Sequence, residues 1–420
     1  MLNFNFYSSA KYWLAFLVII IFLRLLGSGQ RARKWLLIIS SSLMLLAIPE
    51  FAPIDLAILI VLSILSFAVG YFLRSPVYQI KPIHRLLISS SAILFALLFL
   101  SFYKYDFVQR IALNVLPFVG RGPHNIIRMI GVSYFTFKII HFIVESYRSK
   151  TENLSLVTYL NYMVFFPSFI SGPINRYNHF AESLEKHGGH TAKADVKAGA
   201  ERIVHGLFKK FVLVQLLYPH ILTNASATLV SLSFHEVVLG LYAYAFYFYF
   251  DFSGYTDLAV GCARIMGIDL PENFRNPFLK KNIRELWTNW HMSLTAWLVD
   301  YIYWPVVRKL RNREVFRSHP ILLSNIGMMI TFIICGMWHG EGLNFIVWGA
   351  YHGLGISIAT IYQREKRKVR NPRLQRYFRS RISAAVGIIA TFNFFALGLT
   401  FFVLDWENLR AFIIHFSSLF

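Results

Sequence analysis

The stretch Asp55-Leu-Ala-Ile-Leu-Ile-Val-Leu-Ser-Ile-Leu-Ser-Phe-Ala-Val-Gly-Tyr-Phe-Leu73 is apolar after its first residue. It approaches the ~20 residues that a bilayer core demands, because backbone buried in hydrocarbon must pair its N–H and C=O groups within its own segment. The pattern repeats outward in both directions. Apolar runs occupy residues 12–26, 35–48, 55–73, 86–103, 129–144, 154–171, 203–218, 236–250, 283–304, 321–338, 345–362 and 384–404. Segments 107–119, 221–230 and 409–420 are too short to span and read as interfacial or re-entrant. The reading is an all-α, polytopic transmembrane protein of roughly 10–13 helices. No soluble domain is visible between the runs, so residues 1–420 read as a single membrane-embedded domain. Composition points the same way: 56% of the residues are hydrophobic and 15% charged, whereas a soluble domain is about a quarter charged, which excludes most soluble enzymes.

Lysine and arginine number 42 against 21 acidic residues, a net charge of +21. The excess sits in short loops between apolar runs, the topological signature of cytoplasmic loops, so nucleic acid is a poor partner. Loop 31–34 is basic, loop 49–54 carries Glu50, and loop 74–85 is basic again. The first helix is therefore expected to run from outside to inside, with an extracytoplasmic N-terminus and a multi-pass placement in the cytoplasmic membrane. No cleavable signal peptide is expected, since the first run lacks a small-residue cleavage site and is followed by Arg31, Arg33 and Lys34. Loop 308–317 holds five basic residues, and loop 364–381 holds nine with Glu365 as its only acid. Such residues ordinarily fix topology and touch lipid phosphates, while the denser loop is also a candidate docking surface for an acidic protein. The two cysteines, Cys262 and Cys335, lie in apolar surroundings and indicate no disulfide framework.

Polar residues in the second half break the membrane pattern. Tyr249-Phe-Asp-Phe-Ser-Gly-Tyr-Thr-Asp257 sets Asp251 and Asp257 in an aromatic helix, and Pro271-Glu-Asn-Phe-Arg-Asn-Pro277 follows as a turn-rich stretch. Intramembrane carboxylates are costly and are paired or functional; both are assigned first to scaffold, with Arg264, Arg275 or Arg284 as partners. In Glu285-Leu-Trp-Thr-Asn-Trp-His-Met-Ser-Leu-Thr-Ala-Trp297, a continuous helix puts Trp287, Trp290, His291, Leu294 and Leu298 on one face, an environment that depresses an imidazolium. Asp300 lies ~13 Å further along such a helix and cannot orient His291.

Ile334-Cys-Gly-Met-Trp-His-Gly-Glu341 ends an apolar run at His339, between Gly336 and Gly340, which open the backbone to a substrate or to another helix. A general base that takes a hydroxyl proton and a core histidine bonded to a carbonyl both fit this setting. Cys335, at i, i+4 from His339, has the spacing of a thiol–base pair, although buried cysteines are ordinarily inert packing residues. His187-Gly-Gly-His190 has no third ligand at useful spacing and reads as a solvated turn, so no metal site is expected. No phosphate-cradling glycine loop is present, which disfavours an ATP-driven pump. A transporter or flippase of envelope precursors is the rival class to an enzyme. It calls for internal repeats or paired broken helices, and the polar motifs cluster instead after Gly131.

Six ordered stretches then carry a resemblance: Gly131-Val-Ser-Tyr-Phe-Thr-Phe-Lys138, Phe165-Phe-Pro-Ser-Phe-Ile-Ser-Gly-Pro-Ile-Asn-Arg-Tyr177, Asp251-Phe-Ser-Gly-Tyr255, Pro271-Glu-Asn-Phe274, Trp290-His-Met-Ser-Leu294 and Met337-Trp-His-Gly340. Over a core of about residues 131–352 the sequence resembles the membrane-bound O-acyltransferase family, in its bacterial cell-envelope branch. The resemblance implies that His291 and His339 are the active-site histidines, His339 being the base. It implies a ring of helices around a conduit that links a cytoplasmic thioester donor to an extracytoplasmic hydroxyl, with no bound cofactor. The donor is a phosphopantetheine carrier protein or acetyl coenzyme A. An acidic acyl-carrier protein at the cytoplasmic face and an extracytoplasmic helper transferase are the implied partners. Within the family, Ser171-Gly-Pro-Ile-Asn-Arg-Tyr177, Lys280-Lys-Asn-Ile283 and Ser324-Asn-Ile-Gly327 are similar to the members that transfer D-alanyl groups toward teichoic acids. Asp257, Pro305 and Asp405-Trp-Glu-Asn408 look more like the alginate and peptidoglycan O-acetyltransferases. The D-alanyl branch is preferred, with O-acetylation of exopolysaccharide or peptidoglycan as the alternative; Cys335 belongs to neither pattern.

Overall fold

The computed structural model describes residues 9–26, 29–74, 80–115, 128–152, 154–186, 192–222 and 232–417. The regular elements among them are helices, with no strand. Five are long and apolar enough to cross a bilayer: Pro53–Arg74, Pro82–Lys104, Pro320–His339, Leu343–Lys368 and Arg381–Val403. On Pro82–Lys104 the side chains of Leu86, Leu87, Leu94, Phe95 and Leu98 are all exposed. Water would penalise such a surface, whereas hydrocarbon is its natural surrounding. The chain is a multi-pass membrane protein.

Five helices meet this length against twelve apolar runs, because some runs form helices just short of it and others do not wind as single helices. Ala10–Leu26 and Gln30–Leu46 reach 17 residues each. The run 154–171 divides into Leu156–Val164 and Phe166–Phe169, the second opened by Pro167, whose missing N–H costs nothing in a first turn. The run 203–218 passes from Lys193–Phe208 into a π turn at Lys209–Leu213. Of the short segments, residues 107–115 lie in Asp106–Val115 and 409–417 in Trp406–Ser417, while most of 221–230 falls outside the described residues.

Packing divides the chain into two compact units, Met1–Gly206 with Tyr255–Pro271, and Leu207–Gly254 with Glu272–Phe420. In the first, Val132–Tyr147 packs on Pro53–Arg74 and Pro82–Lys104. Its core is aromatic: Phe142 and Tyr159 approach to 4.2 Å, and Tyr159 Oη shares a 2.8 Å hydrogen bond with Ser66 Oγ. Lys138 Nζ, fully buried, donates to the Tyr162 carbonyl at 2.8 Å, near the point where Leu156–Val164 ends. His141 Nε2 accepts from the Tyr177 N–H at 2.9 Å. The motif stretches 131–138 and 165–177 thus supply the core of this unit.

In the second unit Pro320–His339 and Leu343–Lys368 form a helical hairpin. A Cβ on Gly336 would stand 2.2 Å from the Phe345 carbonyl oxygen, and one on Gly349 2.3 Å from that of Phe332. Only glycine lets the two backbones meet so closely. What Gly336 opens is therefore helix packing, not an approach for substrate; the space beside Gly340 is likewise taken by the Phe345 ring, 2.2 Å from where its Cβ would be.

Candidate active site

The segment expected as one helix through His291 is broken. Ile283–Trp287 stops, residues 288–291 turn, and Met292–Leu298 begins with His291 as its N-cap at φ 43°, ψ 51°. The shared face of Trp287, Trp290, His291, Leu294 and Leu298 therefore does not exist as a helical stripe. A left-handed backbone at a non-glycine residue costs on the order of 1–2 kcal/mol and persists only where its surroundings enforce it.

The enforcing contacts come from Pro271-Glu-Asn-Phe274. The Met292 N–H donates to the Asn273 carbonyl at 2.9 Å, and the Arg275 N–H to the Asn289 carbonyl at 3.1 Å. Asn273 Oδ1 accepts from Ser293 Oγ at 2.6 Å and from Ser293 N–H at 3.2 Å. Asn273 is itself fully buried, so these bonds face no competition from water. Thr295 Oγ1 completes the turn through the Trp287 and Trp290 carbonyls, at 3.2 and 3.3 Å. His291 emerges buried, its ring edge-on to Phe252 at 4.6 Å. Burial pushes its imidazolium well below the ordinary histidine value, so the ring is neutral at physiological pH.

His339 is reached by a regular route. It is the last residue of Pro320–His339, followed by extended Gly340, and it is half-buried. Trp348 and Phe402 stand edge-on to it, each at 5.0 Å between ring centres. His291 and His339 line the same cavity of about 340 Å³, with Phe252, Trp287, Trp348 and Phe402 in its largely apolar wall. That volume lies at the lower end of the range of small-molecule sites. Cys335 lines it too, one turn before His339. Sequence reasoning missed Trp348 and Phe402, which belong to none of the motif stretches. It also missed His352, fully buried between Trp287 and Trp348 at 5.0 and 4.9 Å, neither of whose ring nitrogens has a hydrogen-bond partner among the described residues.

The carboxylates belong to the scaffold, with partners other than those expected. Asp257 pairs with Arg202 in the first unit and Asp251 with Lys210 in the second. Lys210 lies in the π turn Lys209–Leu213. Arg264 pairs with Asp195 at 3.1 Å. His187 and His190 lie outside the described residues. Arg308, Lys309, Arg311 and Arg313 are exposed, and none forms an ion pair among the described residues.

Residues 124–404 match the model of the membrane-bound O-acyltransferase family, and the chain belongs to that family. Among its relatives, the teichoic acid D-alanyltransferase of Bacillus subtilis (strain 168) is 36% identical over 224 residues, 52% of this chain and 55% of that protein. The teichoic acid D-alanyltransferase of Streptococcus thermophilus is 31% identical over 312 residues, 72% of this chain and 75% of the relative. The probable alginate O-acetylase AlgI of Pseudomonas syringae pv. tomato is 29% identical over 328 residues, 75% of this chain and 61% of the relative. The matches thus cover just over half of the Bacillus relative and under two thirds of the Pseudomonas one.

Proposed function

We propose that the protein is an O-acyltransferase that moves a D-alanyl group from a thioester donor toward a hydroxyl of a teichoic-acid-like envelope polymer. The carrying observation is that His291 and His339, far apart in sequence, line one mostly apolar cavity. A thioester is already activated, so the protein need only align a hydroxyl with the carbonyl carbon and accept its proton. His339 takes that proton as the new O–C bond forms; the C–S bond then breaks, and the imidazolium returns the proton to the departing thiolate. No covalent enzyme intermediate is needed, which leaves Cys335 as wall. His291, neutral and held rigidly, binds donor or acceptor opposite the base.

The donor arrives on an acidic carrier protein whose phosphopantetheine arm enters the cavity. Its docking surface is the unpaired basic cluster Arg308, Lys309, Arg311 and Arg313, placed at the cytoplasmic face with the N-terminus outside. Rim charges of this kind act through steering that salt screens over ~10 Å at 0.1 M. An extracytoplasmic helper completes delivery to the polymer. The similarity to both D-alanyltransferases and alginate O-acetylases makes acetyl transfer the specific competitor.

Purified protein supplied with D-alanyl carrier or with acetyl coenzyme A, and a soluble glycerol-phosphate or sugar acceptor, decides between them. D-alanyl esters that form only with wild-type protein, and carrier binding weakened by reversing charge at Arg308, Lys309, Arg311 and Arg313, are the expected results. Acetyl esters as the sole product, with undetectable carrier binding, overturn the D-alanyl reading.

A further inference from the structure

The basic loop 364–381 frames a second, larger hollow. The helix Pro372–Arg379, the ends of Leu343–Lys368 and Arg381–Val403 that it joins, and residues 281–285 line a groove of about 950 Å³. Its two ends differ chemically. At the polar end stand Lys366, Arg367 and Arg379; residues 281–285 add Lys281, whose carbonyl packs against Gly387 further along the span, and the one acid of the lining, Glu285, whose Oε1 already accepts from Asn282 Nδ2 at 2.7 Å. None of the four cations forms an ion pair among the described residues. Lys366 Nζ instead lies over the Phe378 ring, 4.6 Å from its centre. About two helical turns further along the same spans the lining becomes Ile358, Ala359, Ala390 and Phe394.

Unpaired cations at the polar ends of two spans, leading into an apolar slot between those spans, complement a molecule that is anionic at one end and hydrocarbon at the other. The joining helix is built for the same boundary. Leu374, Tyr377 and Phe378 share one of its faces at i, i+3, i+4, and Leu374 and Tyr377 are exposed, as for a helix lying in a bilayer interface. An acidic protein would satisfy the cations and leave the slot empty, as would a free phosphate ester. We propose that this groove binds an anionic diacyl phospholipid, its phosphate among Lys366, Arg367 and Arg379 and one acyl chain in the slot beside Ile358 and Ala390. The site is separate from the histidine cavity and does not depend on which acyl group is transferred.

The test is native mass spectrometry of the delipidated full-length protein in detergent, titrated with phosphatidylglycerol or with phosphatidylcholine of identical chains. Phosphatidylglycerol is expected to bind on the order of tenfold tighter or more, and combined Lys366→Ala, Arg367→Ala and Arg379→Ala to remove that preference. Combined Arg373→Ala and Arg376→Ala, which removes charge from the same helix outside the groove, should leave it. Ala390→Trp fills the slot and should weaken phosphatidylglycerol while leaving binding of glycerol phosphate unchanged. If the triple variant does not stay monodisperse, Arg379→Gln and Ala390→Trp make the same distinction singly. Equal retention of both lipids, or equal losses from the control pair and the groove variants, overturns the site as nonspecific attraction. Full lipid binding by Ala390→Trp overturns it in favour of a phosphate-ester site. Loss of carrier-protein capture in the triple variant with lipid selectivity intact overturns it in favour of a protein dock.

Discussion

The two histidines of the cavity reach it by opposite means. His339 ends a regular helix, half-buried, and its backbone is ordinary right-handed helix up to an extended Gly340. His291 is buried in a left-handed turn held by a segment nearly twenty residues earlier. A side chain at a helix end can adjust to what it binds, whereas one in an enforced turn is aimed before anything arrives. Under the proposed function, the contrast suits His339 to the mobile proton and His291 to the fixed contact.

The largest effect that separates them is on rate. His339→Ala should lower turnover by ~10²–10⁴, the usual contribution of one general base, with little change in thermal unfolding. Near-normal turnover in the purified variant would end the assignment. Asn273→Ala tests the other arm, because Asn273 does not line the cavity and holds the turn through Ser293. It should cost about 1–3 kcal/mol of stability from the stranded donors of Ser293. It should also lower transfer, and Asn273→Asp, which keeps an acceptor oxygen, should recover much of both. A variant with full stability and impaired transfer would show that Asn273 acts directly.

Backbone strain offers a sharper distinction. At His291, asparagine tolerates the left-handed region and valine does not, so His291→Val should be less stable than His291→Asn by about 1–2 kcal/mol despite valine's better fit to an apolar wall. At His339 no such order is expected. Chemical unfolding in detergent reads both pairs, and an identical ranking at the two positions would refute the enforced turn. The smallest effect is in pH. His291 titrates near 6.5 when unfolded and lower when folded, so the unfolded chain binds more protons in the window between. Its contribution is fully present above about 6.5 and is lost as pH falls below it, at up to ~1.4 kcal/mol per pH unit. Wild type should therefore lose stability from pH 7 to 5 more steeply than His291→Asn; parallel curves would mean that the ring is solvated.

Much of this was legible in the residues. Apolar run length announced a membrane protein, the order of motifs announced the family, and His339 stood out because a polar residue closing an apolar run is costly unless it is used. The scaffold role of Asp251 and Asp257 followed from the same cost. Their partners did not, since any of several nearby cations satisfies the arithmetic and only packing brought Lys210 and Arg202 within reach. The helix through His291 was misread for a related reason: Trp287, Trp290, Leu294 and Leu298 do recur at helical spacing, yet the local preference lost to the hydrogen bonds of Asn273.

By itself, then, the sequence determined the solvent of this protein and the family it belongs to, because hydrocarbon runs and ordered motifs act through properties that each segment owns alone. The tertiary structure decided which residues share a cavity. Trp348 and Phe402 wall it, Gly336 serves helix packing, and an N-terminal cap rather than a helical face presents His291. These are outcomes of contacts between distant segments. A buried amide oxygen that can be satisfied in only one arrangement outweighs the ~1–2 kcal/mol by which the local backbone would prefer another.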